Sequence, residues 1–140
     1  LLRTGMVLGK NGGALQKMIP PFRFFLGGKI GSGNQWMSWI HIEDFIDVIE
    51  FLVHYPEAGG VYNAVSPHPV RNREFARILG RVLRRPSFFP VPGFVLKTLY
   101  GQMAQELLLS GQRALPDRLT GSGFTFSFPQ LETALEQLLT

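Results

Sequence analysis

The residues best suited to chemistry lie close together, in the run Gln35-Trp36-Met37-Ser38-Trp39-Ile40-His41-Ile42-Glu43-Asp44. An amide, two indoles and an imidazole offer hydrogen bonding and stacking to a small molecule. Trp36 and Trp39 are three apart, so on a strand they face opposite sides. One is expected in the core and the other in a pocket. Gln35 is either a turn residue or a hydrogen-bond donor to substrate. His41 precedes the acidic pair Glu43-Asp44. Its simpler reading is a structural histidine bonded to that cap or to nearby backbone; its sharper reading is a substrate contact. Asp44 and Asp47 are too close in sequence, and have too few histidine partners, to suggest a metal site. No Ser/His/Asp triad can be read from chain order alone.

A second group is cationic. Arg73, Arg77 and Arg81 recur every four residues, with Arg84 and Arg85 after them. On a helix they form one basic stripe. Such stripes are usually solvated faces, and this one lacks interleaved aromatics and a base-reading motif. A phosphate or nucleic-acid patch is the alternative.

The elements that position these groups follow from pattern. Gly31-Ser32-Gly33 reads as a turn. Trp36 to Ile42 is rich in aromatic and β-branched residues and reads as a strand. A helix is expected to open at Glu43-Asp44, with Phe45, Val48, Ile49 and Leu52 on one face. A strand handing over to a helix is where open α/β sheets bind ligands. Upstream, residues 1–9 read as a buried strand running into a glycine turn. Ala14 to Ile19 reads as a short helix ended by Pro20-Pro21. Downstream, residues 61–65 read as a strand and Ser66-Pro67-His68-Pro69 as an extended loop. Asn72 is expected to cap a helix with Phe75, Ile78, Leu79 and Val82 on its apolar face. A proline-rich connector covers 87–93. Helices are expected over Phe94–Tyr100 and Met103–Ser110, and a short strand over Phe124–Ser127. A last helix, with Pro129 as its first residue, buries Leu131, Ala134, Leu135 and Leu138.

Apolar residues make up 45% of the 140 and charged residues 17%, which marks a folded chain with a core. A net charge of +4 permits phosphate-bearing partners without requiring them. With no cysteine, disulfides and thiolate zinc sites are excluded. No apolar run approaches the roughly 18 residues of a membrane span, and no signal peptide is expected. Opening directly on an apolar strand, the chain is expected to be a piece of a longer protein.

Three segments carry a resemblance: Leu2-Arg3-Thr4-Gly5-Met6-Val7-Leu8-Gly9, Ser38-Trp39-Ile40-His41-Ile42-Glu43-Asp44, and Gly60-Val61-Tyr62-Asn63-Ala64-Val65 with Asn72-Arg73-Glu74-Phe75. Together they resemble the C-terminal half of an extended short-chain dehydrogenase/reductase, in the NAD(P)-dependent epimerase/dehydratase superfamily. Arg85-Pro86, Pro90-Val91-Pro92, Leu108-Leu109-Ser110-Gly111-Gln112-Arg113, Leu115-Pro116 and Gly123-Phe124 to Phe128-Pro129-Gln130-Leu131 are similar to the epimerase-family group that carries a small C-terminal domain of unknown function.

The resemblance implies an α/β fold: the C-terminal portion of a Rossmann-like domain with a small, mostly helical substrate lobe. Residues 1–85 would belong to the Rossmann-like domain with substrate-lobe elements, and 86–140 to the small domain. It implies NAD(P) as cofactor, bound mainly by an N-terminal half, with Thr4 and Gly5 passing the nicotinamide. Gln35, Trp36, Trp39 and His41 would face a small-molecule substrate, a nucleotide sugar by family precedent. The implied chemistry is hydride transfer in an epimerase, dehydratase or reductase, in the cytoplasm. The family's catalytic pair is Tyr-x-x-x-Lys, and no such spacing occurs here; nor does a glycine-rich dinucleotide loop. No catalytic residue is therefore expected within these 140 residues. Met6 and Met37 stand where many sugar-nucleotide members have Asn and Arg, and methionine can replace neither. The alternative reading is a non-catalytic dinucleotide-sensing protein, or a protein or nucleic-acid interaction module using the Arg73–Arg85 stripe. An exposed sheet edge would also make the piece self-associate.

Overall fold

The computed structural model describes residues 1–55, 59–87 and 113–140. The opening strand is not continuous. It divides at Gly5 into β1 (Leu2–Thr4) and β2 (Met6–Leu8). A Cβ at Gly5 would lie 2.6 Å from the carbonyl oxygen of Ser38 and 2.9 Å from Cγ1 of Val65, so only glycine lets the chain pass here. On either side of Gly5 the strand changes neighbours. β1 runs parallel to β5 (Tyr62–Ala64), with Thr4 opposite Ala64. β2 runs parallel to β4 (Trp39–His41), with Met6 opposite Trp39.

The predicted strand over Trp36–Ile42 is likewise divided. β3 (Trp36–Met37) pairs antiparallel with β6 (Val70–Arg71), a strand that pattern alone did not reveal, and Ser38 separates β3 from β4. Trp36 is directly opposite Arg71.

Helix α1 (Gly13–Arg23) runs a turn beyond its predicted end, with Pro20 and Pro21 inside it. The prolines lack N–H donors, yet their carbonyls still accept, from the N–H groups of Phe24 and Leu26. Burial of Pro21 and Phe22 holds this last turn in place. Helix α2 (Ile42–Val53) begins one residue before its expected start. Its buried side centres on Asp44 and Val48, whereas Ile49, expected to face inward, is 42% exposed. Successive helical residues turn by 100°, so anchoring Asp44 inside rotates Ile46, Ile49 and Val53 outward.

Helix α3 (Asn72–Leu83) buries Phe75, Ile78 and Leu79 as predicted. Asn72, however, is not its N-cap. Its Oδ1 accepts the backbone N–H of Ile30 at 2.6 Å, and its Nδ2 donates to the Met37 sulfur. The asparagine side chain thus ties the turn at 30–33 to β3 and α3. In that turn Gly31 and Gly33 have φ of 60° and 72°, as glycine permits.

Near the C-terminus come α4 (Asp117–Gly121) and α5 (Leu131–Leu139). The strand expected over Phe124–Ser127 does not form; the backbone there bonds to a side chain in α2 instead of to a ladder. Pro129 lies before α5 rather than within it, and its carbonyl accepts the Ser66 hydroxyl at 2.8 Å. The apolar face of α5 is as predicted: Leu131, Ala134, Leu135 and Leu138 are all buried.

Two clusters form the core. The larger joins α1, α3 and α5 to Leu8, Met37 and Trp39, and the smaller joins Ile40, Val48, Tyr62, Ala64 and Leu119. The helices predicted over Phe94–Tyr100 and Met103–Ser110, and most of the connector before them, lie outside the described residues. No helix among the described residues is long and apolar enough to cross a membrane.

Candidate functional site

A cleft of about 970 Å³ opens where β1 becomes β2. Its walls come from four parts of the chain: Arg3 to Val7, Gly13-Ala14 at the start of α1, Trp36 to Ser38, and the segment Arg113 to Leu115 with Asp117. Asn63 and Val65 complete it. The break at Gly5 exposes Thr4 and Gly5 to this space, and the break at Ser38 turns Trp36 and Met37 toward it.

The segment from Arg113 is fixed to the sheet by two bonds. The Ala114 N–H donates to the Ser38 hydroxyl at 3.1 Å, and Asn63 Nδ2 donates to the Leu115 carbonyl at 3.1 Å. Arg113 therefore reaches Trp36, with its Cζ 5.4 Å from the ring centroid, and Arg71 holds its Cζ 4.7 Å from the same ring. Guanidinium groups over an indole are attracted by the negative π face.

The two tryptophans divide between cleft and core, on separate strands rather than on the single strand expected. Trp36 is half-buried and lines the cleft, whereas Trp39 is fully buried and donates its indole N–H to the His68 carbonyl at 2.9 Å. Of the other residues singled out from the sequence, Thr4 and Gly5 line the cleft with Trp36. Gln35, Trp39 and His41 do not. Gln35 serves the turn: its Nε2 donates to the Ile30 carbonyl and its own carbonyl accepts the Asn72 N–H. His41 is 1% exposed. Its Nδ1 accepts the Glu43 N–H at 3.0 Å and so caps α2. That leaves the proton on Nε2, which donates to Gln137 Oε1 at 2.7 Å. The ring stacks on Phe128 with centroids 4.1 Å apart. With both nitrogens engaged, this imidazole has no lone pair to offer a substrate.

Arg3, Asn63 and Arg113 are cleft residues that sequence reasoning did not single out as site residues. Arg113 lies in a segment notable only for its family resemblance, and about 75 residues separate it from Trp36 in the chain; only folding brings the two together. Among the described residues no cluster of three acidic or histidine side chains could hold a metal ion.

Comparison with known proteins agrees with this architecture. A family model described as "Domain of unknown function (DUF1731)" matches residues 91–138. The Arabidopsis thaliana protein named "Epimerase family protein SDR39U1 homolog, chloroplastic" is 47% identical over 139 residues, covering 99% of this chain and 40% of that protein. The crystal structure of human epimerase family protein SDR39U1 (isoform 2) with NADPH superimposes with a TM-score of 0.87 at 40% identity, over 98% of this chain and 46% of that one. Over nearly its whole length this chain is similar to epimerase-family proteins. It spans less than half the length of these epimerase-family relatives. A nucleoside-diphosphate sugar epimerase from Corynebacterium glutamicum is similar at 32% identity and a TM-score of 0.71, over 99% of this chain and 25% of that one. The epimerase-family fold is NAD(P)-binding and Rossmann-like. The paired parallel strands β1–β5 and β2–β4, with helices between them, are the part of it contained here.

Proposed function

We propose that this chain forms the substrate-facing portion of an NAD(P)-dependent epimerase-like oxidoreductase, closing one wall of a cleft over the nicotinamide. The observation that carries the reading is the cleft at the Gly5 break, where Thr4, Gly5 and Trp36 share one space with Asn63 and Arg113. The site suits one end of the cofactor. Thr4 and Gly5 would pass beside the nicotinamide, while the pyrophosphate needs a glycine-rich loop that these residues lack. NAD(P), when bound, supplies hydride exchange at a carbinol or carbonyl carbon. This chain's residues bind and orient the substrate: Trp36 offers a stacking face, and the Asn63 amide and Arg113 guanidinium offer donors. Gln35, Trp39 and His41 act behind them, by fixing the turn, the strand and the start of α2. The tyrosine–lysine pair would come from outside these 140 residues.

The substrate we propose is a small molecule carrying a carbonyl or carbinol. The Corynebacterium relative's name supports a sugar nucleotide, while Met6 and Met37 depart from the polar pattern of many such enzymes. The reading as a nucleic-acid or protein interaction module has weaker support. In the basic stripe Arg73 bonds to Asn34, Arg77 lies 3.7 Å from Glu74, Arg81 pairs with Glu132, and Arg85 lies over Phe25.

The test is an NADPH titration of the complete gene product beside the 140-residue chain, read by tryptophan fluorescence. Binding by the complete protein and none by the isolated chain is expected. Binding by neither would overturn the reading.

A further inference from the structure

The cleft at the Gly5 break is charged at its mouth and apolar inside. Its charged lining residues, Arg3, Arg113 and Asp117, are all exposed. Deeper in, Val65 is fully buried, and Met6, Ala14 and Leu115 are half-buried. None of these four side chains carries a strong hydrogen-bonding group. Val65 stands against the backbone at Gly5, where a Cβ would lie 2.9 Å from its Cγ1. Met6 is the next residue in the chain. Both therefore border the space proposed for the nicotinamide. The polar side chains at this depth are engaged. The Ser38 hydroxyl accepts the Ala114 N–H, and Asn63 donates one amide N–H to the Leu115 carbonyl. Asn63 keeps its amide oxygen and its second N–H. Those suffice for the one oxygen of a carbonyl or carbinol. They do not suffice for the several hydroxyls of a sugar ring, and each hydroxyl buried without a partner weakens binding roughly tenfold.

We infer that the substrate carries its reacting carbon on an apolar body, an alicyclic or aromatic ring that packs against Met6, Val65 and Leu115, and that a sugar ring does not occupy this depth. The inference deepens the proposed function and rests on it. An apolar ring gains by leaving water for these side chains and leaves none of its own atoms unpaired. Trp36 adds an aromatic face to the same space. Asn63 is then the one polar anchor at depth, and it orients the reacting oxygen. Such a site is mostly apolar with a single placed polar group, the usual economy of a small-molecule pocket. Met6 and Val65 are thereby specificity-determining residues: each excludes a hydroxylated ring by offering it nothing to bond.

The experiment uses the full-length protein, isotope-labelled for its indole N–H signals and saturated with NADP⁺. Acetophenone, a neutral aromatic ketone, is the apolar probe; UDP-glucose and UDP are the polar pair. The Trp36 signal, assigned by its loss in Trp36→Phe, is expected to shift saturably with acetophenone. The Trp39 signal, locked to the His68 carbonyl, stays in place. UDP-glucose is expected to bind no more tightly than UDP, since its sugar finds no partners. Met6→Asn weakens the apparent affinity for acetophenone roughly tenfold, as expected when an unpaired amide is placed against an apolar ring. Val65→Thr keeps the shape, adds one hydroxyl, and is expected to act in the same direction, so the result does not hang on one variant's folding. Arg77→Gln, outside the cleft, leaves the affinity unchanged. No saturable shift with acetophenone, an equal shift in wild type and both variants, or a clear gain of UDP-glucose over UDP overturns the inference. Cofactor binding is read separately from the NADP⁺ titration. Normal NADP⁺ binding without an acetophenone response rejects the apolar pocket alone; a Met6-dependent response without NADP⁺ binding rejects the cofactor reading and leaves the pocket standing.

Discussion

Asp44, in the first turn of α2, accepts the backbone N–H of Phe128 at 2.9 Å, across 84 residues of chain. Its other carboxylate oxygen accepts the N–H of Ser127 at 2.8 Å. A buried carboxylate thus takes the place of a strand partner for a segment that makes no ladder, and it sets the rotation of α2. Phe128 in turn stacks on His41, which caps the same helix. Asp44→Ala is expected to destabilise the fold by about 2–4 kcal/mol, because two charge-assisted bonds are lost and two N–H groups are left unpaired. Asp44→Asn keeps the shape but turns an amide NH₂ toward one of those donors, so it should not restore stability. Chemical denaturation of the three proteins decides; an unshifted midpoint in Asp44→Asn would show that the charge is dispensable.

Gly5 is needed for proximity. Its Cβ would meet backbone atoms of Ser38 at 2.6 and 2.9 Å. Backbone cannot swing aside as a side chain does. Gly5→Ala is expected to cost about 1–3 kcal/mol, the range for overpacking, and to weaken ligand binding, since separating β2 from Ser38 also moves Trp36. Thermal unfolding and ligand titration check both effects.

The two tryptophans should separate in solution. Trp39→Ala removes a fully buried indole and is expected to cost about 3–5 kcal/mol. Trp36→Ala should cost far less and act chiefly on ligand binding. Iodide quenching reads the same difference in the unmodified protein. Trp36 is accessible and Trp39 is not, so Trp36→Phe should remove the quenchable component.

Arg81 pairs with Glu132 through one nitrogen at 3.1 Å from both carboxylate oxygens, joining α3 to α5 at the surface. Both side chains are about half exposed, 51% and 42%. A double-mutant cycle should give a coupling below about 1 kcal/mol, shrinking as salt is added. A larger, salt-independent coupling would mean that the pair is shielded from solvent.

The isolated 140-residue chain is expected to self-associate. Phe24, Phe25, Leu26, Ile46, Ile49 and Val53 are exposed apolar side chains, three of them on one face of α2. Uncovered apolar surface of this kind favours association. Light scattering that shows a monomer across the accessible concentration range would refute this.

Much of the framework was legible in the sequence because it depends on local periodicity. The apolar faces of α3 and α5 repeat every three or four residues, and each needs only something apolar to pack against. The place of the Gly31–Gly33 turn follows from the conformations glycine allows, whereas Trp36 and Trp39, expected on one strand, lie on β3 and β4 with different partners, so packing decides which of them is buried. Tertiary structure decided what depends on neighbours distant in the chain. Strand pairing split residues 1–9 at Gly5. A buried asparagine at the start of α3 linked Ile30 to Met37 instead of capping its own helix. Asp44 turned Ile49 outward, against the helical pattern. His41 was consumed as a cap and a stacking partner, and Arg113 was carried to Trp36. Periodicity records which side of an element is apolar; whether a polar side chain finds its partner nearby or across the fold is settled only by packing, since the energy of a buried hydrogen bond depends on where its partner ends up.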